Sequence, residues 1–352
     1  MKRRLCSILL MGCMALGMCA CGNKTTETSD PATVAEEGSE TKVKEQVAEA
    51  GDGELTPITL ATATWVGAGP FYIAKEKGFF EEKGLDVTMK TVDDEAAYGS
   101  LIGSNSVDAV GQVMDRLVIN KATGIDETIV MAFDQSTGGD GIVAAEDINS
   151  IEDLKGKTVA LDKSSTSYFY FLTVLTQAGM KEEDVEIKDM NADAAGTSFV
   201  QGQVDAAVTW EPWLSNAGER EGGHLLCDSS DYPNTIVDTV AFSDAFIEKN
   251  PEAVSAFIQA WDEAVAWYYD GNEEEGNQIM ADGLSIDLED FTSQVVGVTW
   301  YDKDQNAAFF DETADDNIYK VSETAINFWA ERQMINKAYD SKEVISGEFL
   351  ER

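Results

Sequence analysis

The sequence predicts an α/β molecule of two similar lobes, each built on a mainly parallel sheet, with a cleft between them. Three observations lead there. A short unit occurs twice, Gly103-Ser104-Asn105-Ser106-Val107-Asp108-Ala109-Val110 returning as Gly202-Gln203-Val204-Asp205-Ala206-Ala207-Val208. Each copy follows a glycine and a strand-like stretch, Gly84 to Met89 in the first and Gly179 to Ile187 in the second. A β-α-β-α-β unit used in both halves gives two lobes facing each other. Strand-like and helix-like stretches alternate along both halves, the mark of parallel sheets. The body from about Pro57 to Arg352, about 300 residues, exceeds one comfortable core. After the repeated unit the halves diverge, into Gly111-Gln112-Val113 and into Thr209-Trp210-Glu211-Pro212-Trp213. A cleft with unlike walls suits an asymmetric small molecule.

From the N-terminus, Lys2-Arg3-Arg4 precede an uncharged run from Leu5 to Ala20. That run is too short to span a bilayer but suits a cleaved export signal. Small Ala20 before Cys21 fits a lipoprotein cleavage site in which Cys21 becomes the lipidated first residue, although Met18 stands where leucine is commoner and Cys19 is a rival. Residues 1–20 are therefore expected to be signal and 21–56, rich in Thr, Glu, Ser, Ala and Gly with no aromatic residue, a flexible tether. Four of the five cysteines lie in or at the end of the signal. Only Cys227 remains, so the mature chain has no disulfide framework and no cysteine-based metal site.

In the body, Ile58 to Ala63 reads as a strand and Pro70 to Phe79 as a helix with Pro in its first turn. There follow strand Asp86 to Met89, helix Glu95 to Ile102, strand Val107 to Gly111, helix Asp115 to Thr123 and strand Thr128 to Phe133. The second series runs through strand Thr158 to Leu161, helix Thr166 to Ala178, strand Val185 to Lys188, helix Ala192 to Gln201, strand Val204 to Thr209 and helix Trp213 to Arg220. Gly138-Gly139-Asp140-Gly141 lacks the lysine and the spacing of a phosphate loop and reads as a flexible crossover. Beyond Pro251 the chain reads as mostly helical. Phe257, Trp261, Ala264 and Tyr268 make one apolar stripe and Ile318, Val321, Ala325 and Phe328 another, both better suited to core than to a ligand groove. The expected partition is 57–139 with 240–352 as the first lobe and 140–239 as the second.

The net charge of −40 disfavours nucleic acid and anionic membrane surfaces as partners, since both are polyanions that need Lys and Arg. Attachment to a membrane must then come from the lipid. His224 is the single histidine and has no evident triad partner. Asp302, Asp304 and Asn306 imitate the start of a calcium loop, but Ala307 stands where glycine is required and Thr313 where glutamate is. No catalytic group, cofactor or metal is expected.

In open parallel sheets, ligands sit beyond the carboxyl ends of the strands. The candidates there are Thr64, Trp65, Gln112, Asp134, Ser136, Ser164, Ser165, Thr166, Asn191, Trp210 and Glu211. Trp65 and Trp210 could sandwich a planar or aliphatic group. Ser164, Ser165 and Thr166 open a helix and could grip an oxygen-bearing group or simply cap it. Asp134, Asp140 and Glu211 would make the crevice acidic, disfavouring a bare anion and tolerating an ammonium or a neutral donor.

Trp65 to Phe80, Ser150 to Ala160 and Phe199 to Trp213 resemble motifs of the nitrate, sulfonate and taurine class of ABC-importer solute-binding proteins. The resemblance covers nearly the whole body, weakening after about Gly271, and it marks the family better than the ligand. It implies a type II periplasmic-binding-protein fold whose two lobes, joined by two crossovers, hinge shut over a small solute. It implies docking of a monomer onto permease subunits, outside the cytoplasmic membrane. Relatives carry nitrate, taurine, alkyl sulfonates or thiamine-precursor pyrimidines. An enzyme resembling the pyrimidine synthase of thiamine biosynthesis, and a ligand-free adhesin or scaffold, are the alternatives; the first leans on histidines and iron that His224 alone does not supply.

Overall fold

The computed structural model describes residues 54–350. The proposed signal, Cys21 and nearly all of the proposed tether lie outside the described residues. The chain runs β1 (Thr56–Thr62), α1 (Gly69–Glu76), α2 (Phe79–Glu82), β2 (Leu85–Thr91), α3 (Tyr98–Gly103), β3 (Ala109–Val113), α4 (Met114–Ala122) and β4 (Glu127–Ser136). It crosses into β5 (Asp140–Ala145), β6 (Thr158–Leu161), α5 (Thr166–Gln177), β7 (Glu186–Asp189), α6 (Ala192–Val200), β8 (Ala206–Trp210), α7 (Trp213–Gly218) and β9 (Gly223–Asp228). It returns through β10 (Val237–Ser243), α8 (Asp244–Lys249), α9 (Pro251–Tyr269), α10 (Glu273–Leu284), α11 (Leu288–Gln294), β11 (Val298–Trp300), α12 (Lys303–Phe309) and α13 (Ile318–Glu331).

The strands form two mixed sheets, in the orders β11-β4-β10-β3-β1-β2 and β7-β6-β8-β5-β9. β1 is parallel to β2 and β3, as β6 is to β7 and β8. β10 lies antiparallel between β3 and β4, and β5 antiparallel between β8 and β9. Each sheet thus repeats one layout, and its reversed strand is the one that has just crossed from the other sheet. This is the two-lobe α/β fold with two crossovers. Val237, Asp238 and Thr239 were expected in the second lobe, yet they pair in the first sheet, and Thr56, expected in the tether, pairs with Leu85.

The duplication is visible in its hydrogen bonds. The Asp108 carboxylate accepts from the Thr59 amide at 2.8 Å and Asp205 from the Thr158 amide at 2.7 Å. In return the Asp108 and Asp205 amides donate to the Thr59 and Thr158 carbonyls. The repeated Val-Asp-Ala therefore clamps the third strand of each unit to the first. Two residues before that valine, Asn105 (φ 54°) and Gly202 (φ 69°) hold the same left-handed position, where Asn and Gly are the residues that fit at least cost. In the backbone it is therefore Asn105, and not Gly103, that corresponds to Gly202.

Phe257, Trp261, Ala264 and Tyr268 are buried, with Trp261 4.5 Å from Phe71 between ring centroids; the stripe on α9 is core. On α13, Ile318 and Ala325 are buried while Val321 and Phe328 are partly so. Asn306, the third residue of the calcium-like run, bonds the Ala132 amide and carbonyl at 2.9 Å each, and Asp302 caps α12. That run is structural.

Candidate functional site

The rims of the two sheets meet at a void lined by Trp65, Gln112, Asp140, Thr166, Trp210 and Asp238, with Thr62, Gly111 and Val113 among the other walls. Its walls stand close: about 450 Å³ there is free of atoms, the open mouth included, and the enclosed cavity is about 30 Å³, room for a few waters. Trp65 from one rim and Trp210 and Ala192 from the other belong to one apolar cluster, so the lobes touch across the void.

Trp65 is held from several sides. Its Nε1 donates to Asp134 Oδ2 at 2.9 Å. A Cβ on Gly67 would stand 2.3 Å from that nitrogen and 2.0 Å from Asp134 Oδ2, and one on Gly139 would stand 2.5 Å from the Trp65 ring. Glycine is required at 67 and 139 because the indole and its partner lie against the backbone. The Gly138-Gly139 crossover is itself bonded, the Gly139 amide donating to the Gly297 carbonyl at 3.0 Å. Trp210 is 5% exposed and its Nε1 has no hydrogen-bond partner.

The remaining expected residues divide. Gln112 and Thr166 line the void. Asp134 sits behind Trp65, fully buried. The Thr64 amide bonds Asp93 Oδ1, and the Ser136 hydroxyl bonds the Ser229 hydroxyl at 2.8 Å. Ser165 caps α5, its oxygen accepting from the Ser167 amide, while the Ser164 hydroxyl donates to Asp162; neither is among the walls of the void. Asn191 precedes α6 without a side-chain cap bond. Glu211 accepts from the Ser215 amide and hydroxyl.

Asp238 is not among the residues the sequence points to, and Asp140 is named there only as a carboxylate of the crevice. Those candidates stand at the carboxyl ends of parallel strands, whereas β10 and β5 run the other way and bring their amino ends to the same rim. Asp238 and Asp134 are cross-strand neighbours on β10 and β4, and Asp140 faces Trp210 across β5 and β8. Burial pushes Asp134 up to about 8 against the lowering effect of its bonds to Trp65 and Asp238, with nearby Asp140 adding to the rise. Burial likewise raises Asp140 to about 7, aided by Glu211, whose own carboxyl burial also raises. Like charges this close and this dry cannot all ionise.

A family model described as NMT1/THI5 like matches residues 65–275, more than half of the chain. The chain belongs to the NMT1/THI5-like family. A Bacillus subtilis (strain 168) protein assigned as an aliphatic sulfonates-binding protein is 26% identical over 294 residues, covering 80% of this chain and 84% of the relative. The taurine-binding periplasmic protein of Escherichia coli (strain K12) is 25% identical over 207 residues, 58% of this chain and 64% of its own. Among solved structures, the periplasmic aliphatic sulphonate binding protein of Escherichia coli superposes with a TM-score of 0.70 at 19% identity, covering 84% of this chain and 99% of that one. The periplasmic nitrate-binding protein of Synechocystis PCC 6803 gives 0.65 at 17%, covering 84% and 87%. The family expected from the three motifs and the periplasmic-binding-protein fold are both shown. These relatives and neighbours of the family are named as binding proteins.

Proposed function

We propose that this chain is the solute-binding receptor of an ABC importer, exported and lipid-anchored at Cys21 on the outer face of the cytoplasmic membrane. It would capture a small polar organic solute by lobe closure and deliver it to permease subunits. The observation that carries this reading is the void where both rims converge, walled by an indole from each lobe. Closing two lobes over a solute expels water and strengthens every polar contact inside. The family and fold support a binding rather than a catalytic role. Among the described residues, no helix is long and apolar enough to cross a membrane, in keeping with attachment through lipid.

A thermal-shift screen of the full chain with taurine, ethanesulfonate, nitrate, an aminopyrimidine and an alkylamine tests it. A ligand at 100 times its dissociation constant adds about 2.7 kcal/mol of stability, so at least one compound should raise the melting temperature. No response to any of them, together with no solute retained on the purified protein, would remove the receptor reading.

A further inference from the structure

The void that the receptor reading assigns to the solute has walls of one sign. Asp140 and Asp238 line it, and no lysine, arginine or histidine does. Glu211 adjoins Trp210, and Asp134 lies behind Trp65; all four carboxylates are at least nine-tenths buried. Arg116 is not among the walls of the void; its guanidinium lies 4.0 Å from Asp115 and over the Trp329 ring. A sulfonate or nitrate held here would find no lysine, arginine or histidine in the walls to balance its charge, and would repel any of these carboxyls that gave up its proton. The carboxylates are not placed for a metal either, since among the described residues no three His, Cys, Asp or Glu side chains converge to hold one. A second observation is independent of charge: the buried Trp210 Nε1, on the wall of the same void, has no acceptor. The site thus offers acceptors on one side and an unused donor on another.

We propose that the solute of this receptor is a small organic cation, an amine or amidine whose N–H groups face Asp140 and Asp238, with an acceptor atom toward Trp210, and that sulfonates are excluded. This rests on the receptor reading and narrows it. Among the described residues, the ionisable groups beside these carboxyls include Asp134 on β4, Glu211 after β8, Tyr98 on α3, Tyr170 on α5 and Tyr301 after β11, none of them cationic. Carboxyls that hold their protons at neutral pH release them when a cation sits beside them.

The test is calorimetric titration of the full-length protein with butylammonium and with butanesulfonate, which share a chain and differ in the sign of the head group. The proposal expects butylammonium to bind at least a hundredfold tighter, with a net proton release seen by repeating the titration in buffers of different ionisation enthalpy. Asp140→Asn should weaken butylammonium at least tenfold; Asp238→Asn serves if that variant does not fold. Butanesulfonate binding as tightly as, or more tightly than, butylammonium overturns the ligand class while leaving a receptor. Binding of neither compound also overturns it, and the receptor reading falls as well only if no solute is retained on the purified protein.

Discussion

Trp65 and Trp210 line the void from different lobes and on unlike supports. Trp65 is pinned by Asp134 and by two glycines, whereas Trp210 has a free indole N–H and is the more available to a guest. Trp210→Ala should therefore weaken binding of the solute by about 1 to 3 kcal/mol, the range for a large buried anchor, measured by calorimetry with whichever screened compound binds. Unchanged affinity would take Trp210 out of the site. Gly139→Ala makes a sharper case, because its added methyl would displace the Trp65 ring without touching the void. Its affinity loss should approach that of Trp65→Ala while the far-ultraviolet circular dichroism stays the same. Cys227, half-buried beside Tyr170 with its thiol pushed up to about 11 by burial, is a packing residue and not a reactive one.

The repeated unit carries its own stability argument at the scale of elements. Asp205 accepts from both the amide and the hydroxyl of Thr158, each at 2.7 Å, and Asp108 from the Thr59 amide alone. Burial raises the Asp205 carboxyl, but the Thr158 bonds and Lys157 outweigh it and the group titrates below its usual range. Hydrogen bonds to a charged partner contribute about 1.5 to 3 kcal/mol. Asp205→Ala should thus lower the urea midpoint more than Asp108→Ala, each with an unchanged m-value. Much of this layer was legible in the sequence, because alternating periodicity and glycine punctuation mark Thr158 to Leu161 and the helix from Thr166. β5, β9, β10 and β11 were not. Asp140 to Ala145 opens with the glycine-rich run that resembles a loop, Gly223-His224 looks like a turn, and β10 is defined by partners more than a hundred residues earlier. Non-local pairing leaves little local trace, and with β10 unseen Asp238 near its amino end is missing from the expected site, while Asp140 at the start of β5 is named only as a carboxylate of the crevice.

At the scale of the whole molecule, the chain is strongly acidic and several of its carboxyls are buried. Asp134 is raised to about 8, Asp140, Glu127 and Asp262 to about 7 and Asp115 to about 6, burial being the first cause in each. A carboxyl whose folded pKa lies above its unfolded value of about 4 binds its proton more tightly when folded. Its contribution is complete below the unfolded pKa and is lost as pH rises through the folded one. The ligand-free protein should therefore melt several degrees higher at pH 5 than at pH 8, and relief of self-repulsion at a net charge of −40 acts in the same direction. A melting temperature that climbs from pH 5 to pH 8 would show that these groups ionise freely in the fold.

The central claim, a solute gripped between the two rims, is tested most directly by native mass spectrometry of freshly purified full-length protein beside its Trp65→Ala/Trp210→Ala variant. The account predicts a bound small molecule on the natural chain that is lost from the doubly substituted one while both stay folded. The same adduct retained at the same occupancy by both proteins would contradict it.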